Sequence, residues 1–433
     1  MEVISPSLIE TVLDILREEI VPAEGCTEPI AIAYVAAYAR KRLGRPPEHI
    51  TVIPSGNIVK NVKSVIIPNS GGLVGIEAAA AMGALAGDCD KELMVISDVT
   101  EEQRAAVRQF LAEDRVEVGL ADNDIKLYVK VILTAGADSV AVVIKHTHTN
   151  VTHMEENGRV VLDIPCADGD FNSSLADRSI LSVELVYQLA RTIDLNLIRP
   201  LFLEVINLNS RIAHEGLSGH YGVNTGRMII ENIAAGVYGN DARNRAAAFA
   251  AAGSDARMSG CALPVMTTSG SGNQGMTCSL PVIQYCHDKL MPEDTLIRGL
   301  FFSHLATIHI KSNVGRLSAY CGAICASAGV SGALAFLQGG SLEQVSGAIT
   351  NTLGNLSGVI CDGAKASCAL KIASGVYAAF DGAMLAMQQQ QLSPKDGIVG
   401  VDIERTIDHV GELAQDGMRE TDSAILDIML SKL

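Results

Sequence analysis

The chain has 433 residues, with 33 Lys and Arg against 49 Asp and Glu for a formal charge of −16, and an isoelectric point near 5.1. That acidic balance argues against nucleic acid or an anionic membrane as a partner, and an apolar content of 48% excludes a disordered chain. The length suggests two domains or three. With no Trp and only 4% aromatic residues, Ala and Gly must build much of the core, which predicts closely packed helices.

The first residues, Met1 to Pro6, have neither a basic stretch nor an apolar core, so no signal peptide is expected. The weakly polar run at Ala326–Leu337 is too short to cross a bilayer. A cytoplasmic protein is expected, and its ten cysteines read as thiols or metal ligands rather than disulfides.

In chain order, residues 5–45 read as two helices. Ile9, Val12, Leu13, Leu16 and Ile20 recur with helical spacing, the turn at Val21–Gly25 ends the first helix, and Thr27-Glu28-Pro29 opens the second. Short β-like runs follow at His49–Ile53, Ser64–Ile67, Leu93–Ile96, Leu127–Leu133 and Ser139–Lys145, alternating with helical stretches at Leu73–Ala86 and Glu101–Leu111. Ile164 to Asp170 combines Pro, Gly and acidic residues and is the best linker candidate. Beyond it nearly everything reads as Ala- and Gly-rich helix. The expected fold is α+β: a mixed α/β domain over residues 1–165, then a larger, mainly helical domain over 166–433.

Several groupings bear on chemistry. Gly270-Ser271-Gly272-Asn273-Gln274-Gly275 spells a dinucleotide fingerprint, yet no second strand follows to complete a βαβ unit. A plain Gly-rich turn is the bland alternative. A substrate loop is favoured, since freed N–H groups beside a helix start suit a small carboxylate. Cys89, Cys166, Cys261, Cys278 and Cys286 are scattered and read as small buried hydrophobes. Cys321 and Cys325, and Cys361 and Cys368, have spacings that return to one helix face, which leaves metal binding open. Cys26, at a helix start, is open between a base, a nucleophile, a ligand and a buried capping residue. His146, His148 and His153 alternate as on a strand and read as a solvated strand end rather than a metal site; His214 and His220 sit in a Gly-rich stretch with no role decided.

Taken together, Gly25-Cys26-Thr27-Glu28-Pro29, the loop Thr268–Gly275, Tyr320-Cys321-Gly322-Ala323 and Val359–Lys365 followed by Cys368 give the chain a family likeness. It resembles, over essentially its whole length, the L-cysteine desulfidases and the serine-dehydratase-like proteins, and more distantly the iron–sulfur L-serine dehydratases. The resemblance implies that residues 1–165 correspond to the dehydratase beta part and residues 166–433 to the alpha part. It implies a [4Fe–4S] cluster on Cys321, Cys361 and Cys368 with one iron open, and a catalytic Cys26. Ser269, Gly270, Asn273 and Gln274 would then hold the substrate carboxylate. The dehydratases carry Ser and His where this chain has Cys26, so its role stays open between base and ligand.

The reaction implied is β-elimination from L-cysteine to pyruvate, ammonia and sulfide, without pyridoxal phosphate or NAD. L-serine is the alternative substrate, and a non-catalytic iron–sulfur or small-molecule binding protein the alternative class. Relatives of this kind are commonly dimers, which implies a homodimer here. The roles of Cys325, Cys278 and Lys311 stay undecided.

Overall fold

In the computed structural model, which describes residues 5–166 and 175–431, helix α1 (Pro6–Glu19) starts at a Ser5 cap. The Ser5 hydroxyl accepts a hydrogen bond from the Leu8 amide at 3.2 Å, and Pro6 occupies the opening turn. The chain continues through β1 (Pro22–Ala23), α2 (Thr27–Leu43), β2 (His49–Pro54), α3 (Gly56–Val62), α4 (Gly75–Ala86) and α5 (Glu101–Ala112). Five strands follow: β3 (Val116–Val118), β4 (Tyr128–Ala135), β5 (Asp138–Lys145), β6 (Val151–Glu156) and β7 (Arg159–Asp163).

Six of these strands form a sheet in the order β3-β2-β4-β5-β6-β7, parallel only between β2 and β3. Val52, Val131 and Val142 stand opposite one another across β2, β4 and β5, and all three are buried. That alternation makes one face of the sheet apolar. Helix α2 packs on it and is itself covered by α4, which is why α2 is buried along almost its whole length.

Two expected strands are not strands. Residues 64–67 form a turn with a single bridge, Ile66 to Val74, and residues 93–96 lie at the end of a 3₁₀ turn, Cys89–Met94, and just after it. Val65, Ile67, Leu93, Val95 and Ile96 are apolar because they are buried, and burial alone does not supply a neighbour to pair with. The run His146–Asn150 is likewise a turn between β5 and β6, with His146 at φ +67° and His148 buried, not a solvated strand end. Of the expected linker, residues 167–170 lie outside the described residues.

The second half is helical: α6 (Val183–Thr192), α7 (Leu195–Ser218), α8 (Thr225–Ala234) and α9 (Ala242–Met258), then a short strand β8 (Val265–Met266). After it come α10 (Gly272–Asp288), α11 (Glu293–Val314), α12 (Gly322–Leu337), α13 (Leu342–Leu356), α14 (Cys368–Met387), α15 (Ile403–Glu412) and α16 (Arg419–Leu430). Helix α9 is buried from Ala246 to Arg257 among α7, α8, α10 and α14. Small side chains permit this. A Cβ at Gly216 would lie 1.9 Å from the Ala252 carbonyl oxygen, so α7 and α9 meet backbone to backbone.

Two hydrophobic cores result. One lies between the sheet and α2 and α4; the other fills the helical half and also takes Val12, Ile15 and Leu16 of α1. The fold class is α+β, as the sequence predicts. Among the described residues one helix, α14, is long and apolar enough to cross a membrane, and over half of it is buried inside the protein.

Candidate active site

Two short pairings bring chemistry from the two cores together. Strands β1 and β8 pair antiparallel, Pro22 opposite Met266 and Ala23 opposite Val265. Each leads into a helix start: Glu24-Gly25-Cys26 into α2, and Thr268–Ser271 into α10. Thr27 Oγ1 then donates to the Gly270 carbonyl at 2.8 Å, locking the two starts side by side.

Opposite them, Tyr320 and Ile360 form a bridge. The Cys321 N–H donates to the Val359 carbonyl at 3.1 Å and the Cys361 N–H to the Ala319 carbonyl at 2.6 Å. Cys321 is the N-cap of α12, Cys361 lies in the turn after the bridge, and Cys368 opens α14, where its sulfur accepts from the Lys365 amide at 3.5 Å. Cys361 and Cys368 therefore do not share a helix, contrary to their spacing, whereas Cys321 and Cys325 lie four residues apart at the start of α12; the thiols of Cys321, Cys361 and Cys368 are the ones that meet. They converge from two helix starts and a connecting turn.

A single cavity of about 100 Å³ is lined by Cys26, Cys321, Cys361, Cys368, Asn273 and Gln274, room for several water molecules. Ser269 and Gly270 stand behind this lining. Ser269 is buried at φ +50°, and Gly270 carries the carbonyl that fixes Thr27. His214 and His220 lie elsewhere, both exposed; the first stacks near Phe249 and the second sits 3.1 Å from Arg227. Cys325 and Cys278 are buried away from the cavity, and Cys278 contacts Thr268 and His304. All ten cysteines are free thiols.

The cavity wall is unusual in its unmet polar groups. Asn61 Oδ1, Arg257 Nε, Asn273 Oδ1, Gln274 Oε1 and Arg316 Nε are buried there without a hydrogen-bond partner among the described residues. Such atoms cost free energy unless a ligand meets them. Most of the surrounding cations are engaged. Arg316 pairs with Glu19 at 2.7 Å, Lys60 with Asp422 at 2.5 Å and Lys371 with Asp362 at 2.5 Å, while Lys311 donates to the Gly315 carbonyl. Arg257 is only 3% exposed, and its guanidinium has no hydrogen bond or ion pair among the described residues. An unpaired buried guanidinium facing a cavity calls for an anion.

The Gly-rich segment makes room for it. A Cβ at Gly272 would lie 2.4 Å from Arg257 Nε, and one at Gly322 would lie 2.7 Å from Gln274 Cδ. The glycines therefore serve the packing of Arg257 and Gln274 rather than a nucleotide; α10 is followed directly by α11. Glu28, also on the wall, accepts from Asn61 at 2.9 Å.

Burial governs the thiols. It pushes Cys26 up to about 12, opposed by the charges of Arg257 and Lys365. The acidifying influence of the helix start is thus outweighed. Burial also raises Cys321, and the charges of Cys361 and Cys368 raise it further, so the three sulfurs sense one another. No three His, Cys, Asp or Glu side chains among the described residues close on one point as ligands of a single ion do.

Behind the loop, two histidines are held neutral. Burial pushes His148 down to about 4 and His304 down to about 3, from an ordinary 6.5. Below pH 6.5 the unfolded chain thus binds protons that the fold refuses. Stability should be intact above that pH and fall as pH drops toward 4, by up to about 1.4 kcal/mol per pH unit for each histidine. Urea midpoints measured across that window test this. The His148→Gln variant should have a shallower slope, and an unchanged slope would remove His148 from the account.

The family described as serine dehydratase alpha chain matches residues 90–427. The chain belongs to that family. Its relatives include a UPF0597 protein of Fusobacterium nucleatum subsp. nucleatum, 64% identical over 97% of this chain and 99% of the relative. Others are UPF0597 proteins of Desulfitobacterium hafniense, 45% identical over 98% and 97%, and of Parabacteroides distasonis, 38% identical over 98% and 99%. Membership in the serine dehydratase alpha chain family places the chain among dehydratase-like lyases with a small-molecule substrate. The family match includes the Gly-rich loop and the three clustered cysteines, while Cys26 precedes it.

Sequence reasoning missed Arg257, Arg316 and the Glu28–Asn61 pair. A signal for Arg257 was present: in α9, where Arg243 and Arg245 open the helix, it follows a run that is Ala, Gly and Ser from Ala246 to Ser254 apart from Phe249. A run so apolar is buried on every side, and a charge just past its end is poised to be buried too.

Proposed function

We propose that this chain is a β-eliminating lyase of L-cysteine, forming pyruvate, ammonia and sulfide, and that Cys321, Cys361 and Cys368 hold a [4Fe–4S] cluster. The observation carrying this reading is the shared cavity: three thiols, Cys26 and an unpaired Arg257 face one another. The donor set suits the cluster. Thiolates are its usual ligands, and three of them gathered in a buried cavity repel unless a cationic centre lies between them. Ligands of a cluster bind different irons, which accords with their not closing on one point. When bound, the cluster would supply a Lewis acid for the substrate's β-thiol, improving it as a leaving group.

The chain's own residues do the rest. Arg257, with the Asn273 and Gln274 amides, binds the α-carboxylate; Glu28 faces the α-ammonium. Ser269 and Gly270 keep the loop in place from behind. Cys26 takes the Cα proton. The Cα–H electron pair forms the Cα=Cβ bond and the C–S pair leaves on sulfur, giving sulfide and an enamine that tautomerises and adds water to yield pyruvate and ammonia. The engaged Arg316 and the buried wall exclude bulk water during elimination.

L-serine is the second reading, favoured by the family's description as serine dehydratase. Paired assays of sulfide and pyruvate release from the two amino acids decide between them by kcat/KM. For Cys26, the Cys26→Ser variant should keep its iron yet lose turnover by about 10²- to 10⁴-fold, the usual worth of a positioned base. Because only the thiolate can act and burial raises this thiol, wild-type kcat should climb with pH above neutrality. Near-normal sulfide release from Cys26→Ser, or loss of its iron, would remove Cys26 from the role.

A further inference from the structure

A second cavity, of about 220 Å³, lies on the far side of Lys60 from the first. Lys60 is 2% exposed and lines both cavities, so one buried side chain is their common wall. Helix α16 closes the second cavity from outside, and the segment before β4 forms its floor. Three cations converge on it: Lys60, Lys126 and Arg419.

Two of the three have nothing to hold. Lys60 is paired with Asp422, but neither the Lys126 ammonium nor the Arg419 guanidinium has a hydrogen bond or ion pair among the described residues. The carboxylates nearby are few. Asp422 is engaged by Lys60 and by the Ala319 N–H at 3.1 Å, Asp124 and Arg419 both lie on the exposed rim, and Asp416 acts on Lys126 through its charge. Burial disfavours Lys126 as a cation most; the charges of Lys60 and Arg419 act in the same direction, and those of Asp422 and Asp416 against it. In a chain of net charge −16, cations that repel one another around an open cavity are poised for an anion. The remaining lining sets its class. Ile125 and Leu426 offer an apolar surface, while Asn57, Asn123 and Ser423 offer hydrogen-bonding groups. A small organic anion, apolar at one end, matches this better than a bare inorganic ion.

We propose that this second cavity is a binding site for a small organic carboxylate, coupled to the first cavity through the Lys60–Asp422 pair. The coupling route is short. Asp422 takes the Ala319 N–H, two residues before Cys321, and Lys60 reaches the Cys361 carbonyl at 3.4 Å. An anion between Lys126 and Arg419 pulls on Lys60 and pushes on Asp422, and both hold the bridged segments that lead to Cys321 and Cys361. The site stands whatever reaction the first cavity performs.

Calorimetry with sodium pyruvate at constant ionic strength, using the full chain, tests the site. Binding should persist in Arg257→Met, which disables the anion group of the first cavity. It should weaken about tenfold or more in Lys126→Met and in Arg419→Gln, each of which removes one charge-assisted hydrogen bond. Retained binding in both of those variants, or its loss in Arg257→Met alone, would overturn the site. Inorganic phosphate serves as the comparison anion, and binding tighter than pyruvate would overturn the carboxylate assignment. Coupling is read by mass spectrometry of iodoacetamide labelling of the metal-free full chain in the Arg257→Met background, where the Cys361 thiol is not held as a ligand. Pyruvate should change the labelling rate of Cys361 about fivefold or more, and not in the added presence of Lys126→Met. An unchanged rate would overturn the coupling.

Discussion

Replacing Arg257 by Met should raise the thermal midpoint of the ligand-free protein while lowering kcat/KM by about 10²-fold, the worth of two charge-assisted hydrogen bonds to a carboxylate. The two effects share one cause. Arg257 is almost wholly buried, with Nε unmet, so in the empty protein its charge is a cost with no partner to offset it. A methionine of similar length keeps the packing under Gly272 without the charge. The same charge, met by a substrate carboxylate in a cavity shielded from water, is worth far more than at a surface. Arg257→Lys retains charge but loses the planar fork, and should fall between the two. Scanning calorimetry and steady-state kinetics on the three proteins check this. A lower midpoint in Arg257→Met together with unchanged kcat/KM would show that the guanidinium is a structural group and not a substrate anchor.

The second large effect concerns the thiols. Cys321→Ala, Cys361→Ala and Cys368→Ala should each abolish iron and inorganic sulfide in protein reconstituted without oxygen, and with them the visible absorbance. Three thiolates share one cluster, so losing one releases the metal rather than weakening it in proportion. Cys325→Ala is the sharper control. Cys325 lies four residues beyond Cys321 on α12 but is fully buried away from the cavity, and its variant should keep full iron, as should Cys89→Ala. Iron retained by Cys368→Ala, or lost by Cys325→Ala, would overturn the ligand set. Far-ultraviolet dichroism of each variant separates loss of metal from loss of fold.

Much of the architecture could be read from local pattern. Helix α2 begins at Thr27, where Thr27-Glu28-Pro29 predicted a start, because proline tolerates an opening turn. Strands β2 and β4 follow from period-two alternation against one buried face, and β5 from a continuous apolar run, Val140–Ile144, that is buried throughout. Cys26, Asn273, Gln274, Cys321, Cys361 and Cys368 line one cavity; residue type and motif drew attention to them, and their proposed roles came from the family resemblance. Chemistry-bearing residue types in turns are visible without a fold.

What depends on burial was not visible. Leu93–Ile96 is apolar and reads as strand, yet beyond its own turns its backbone makes only isolated backbone bonds, the Glu24 N–H to the Leu93 carbonyl and the Asp88 N–H to the Val95 carbonyl, and not the regular ladder that makes a strand. The acidity of Cys26 follows a local rule at a helix start, but burial pushes the thiol the other way, and the packing of the two cores sets that burial. The sequence by itself determined the fold class and the start of α2, since these rest on periodicity and on where a proline can open a helix. Only the tertiary structure decided that β1 pairs with β8, that Tyr320 bridges Ile360, and that Arg257 is left without a partner. Those outcomes depend on contacts between distant segments, and on whether water reaches a charge, which no local pattern encodes.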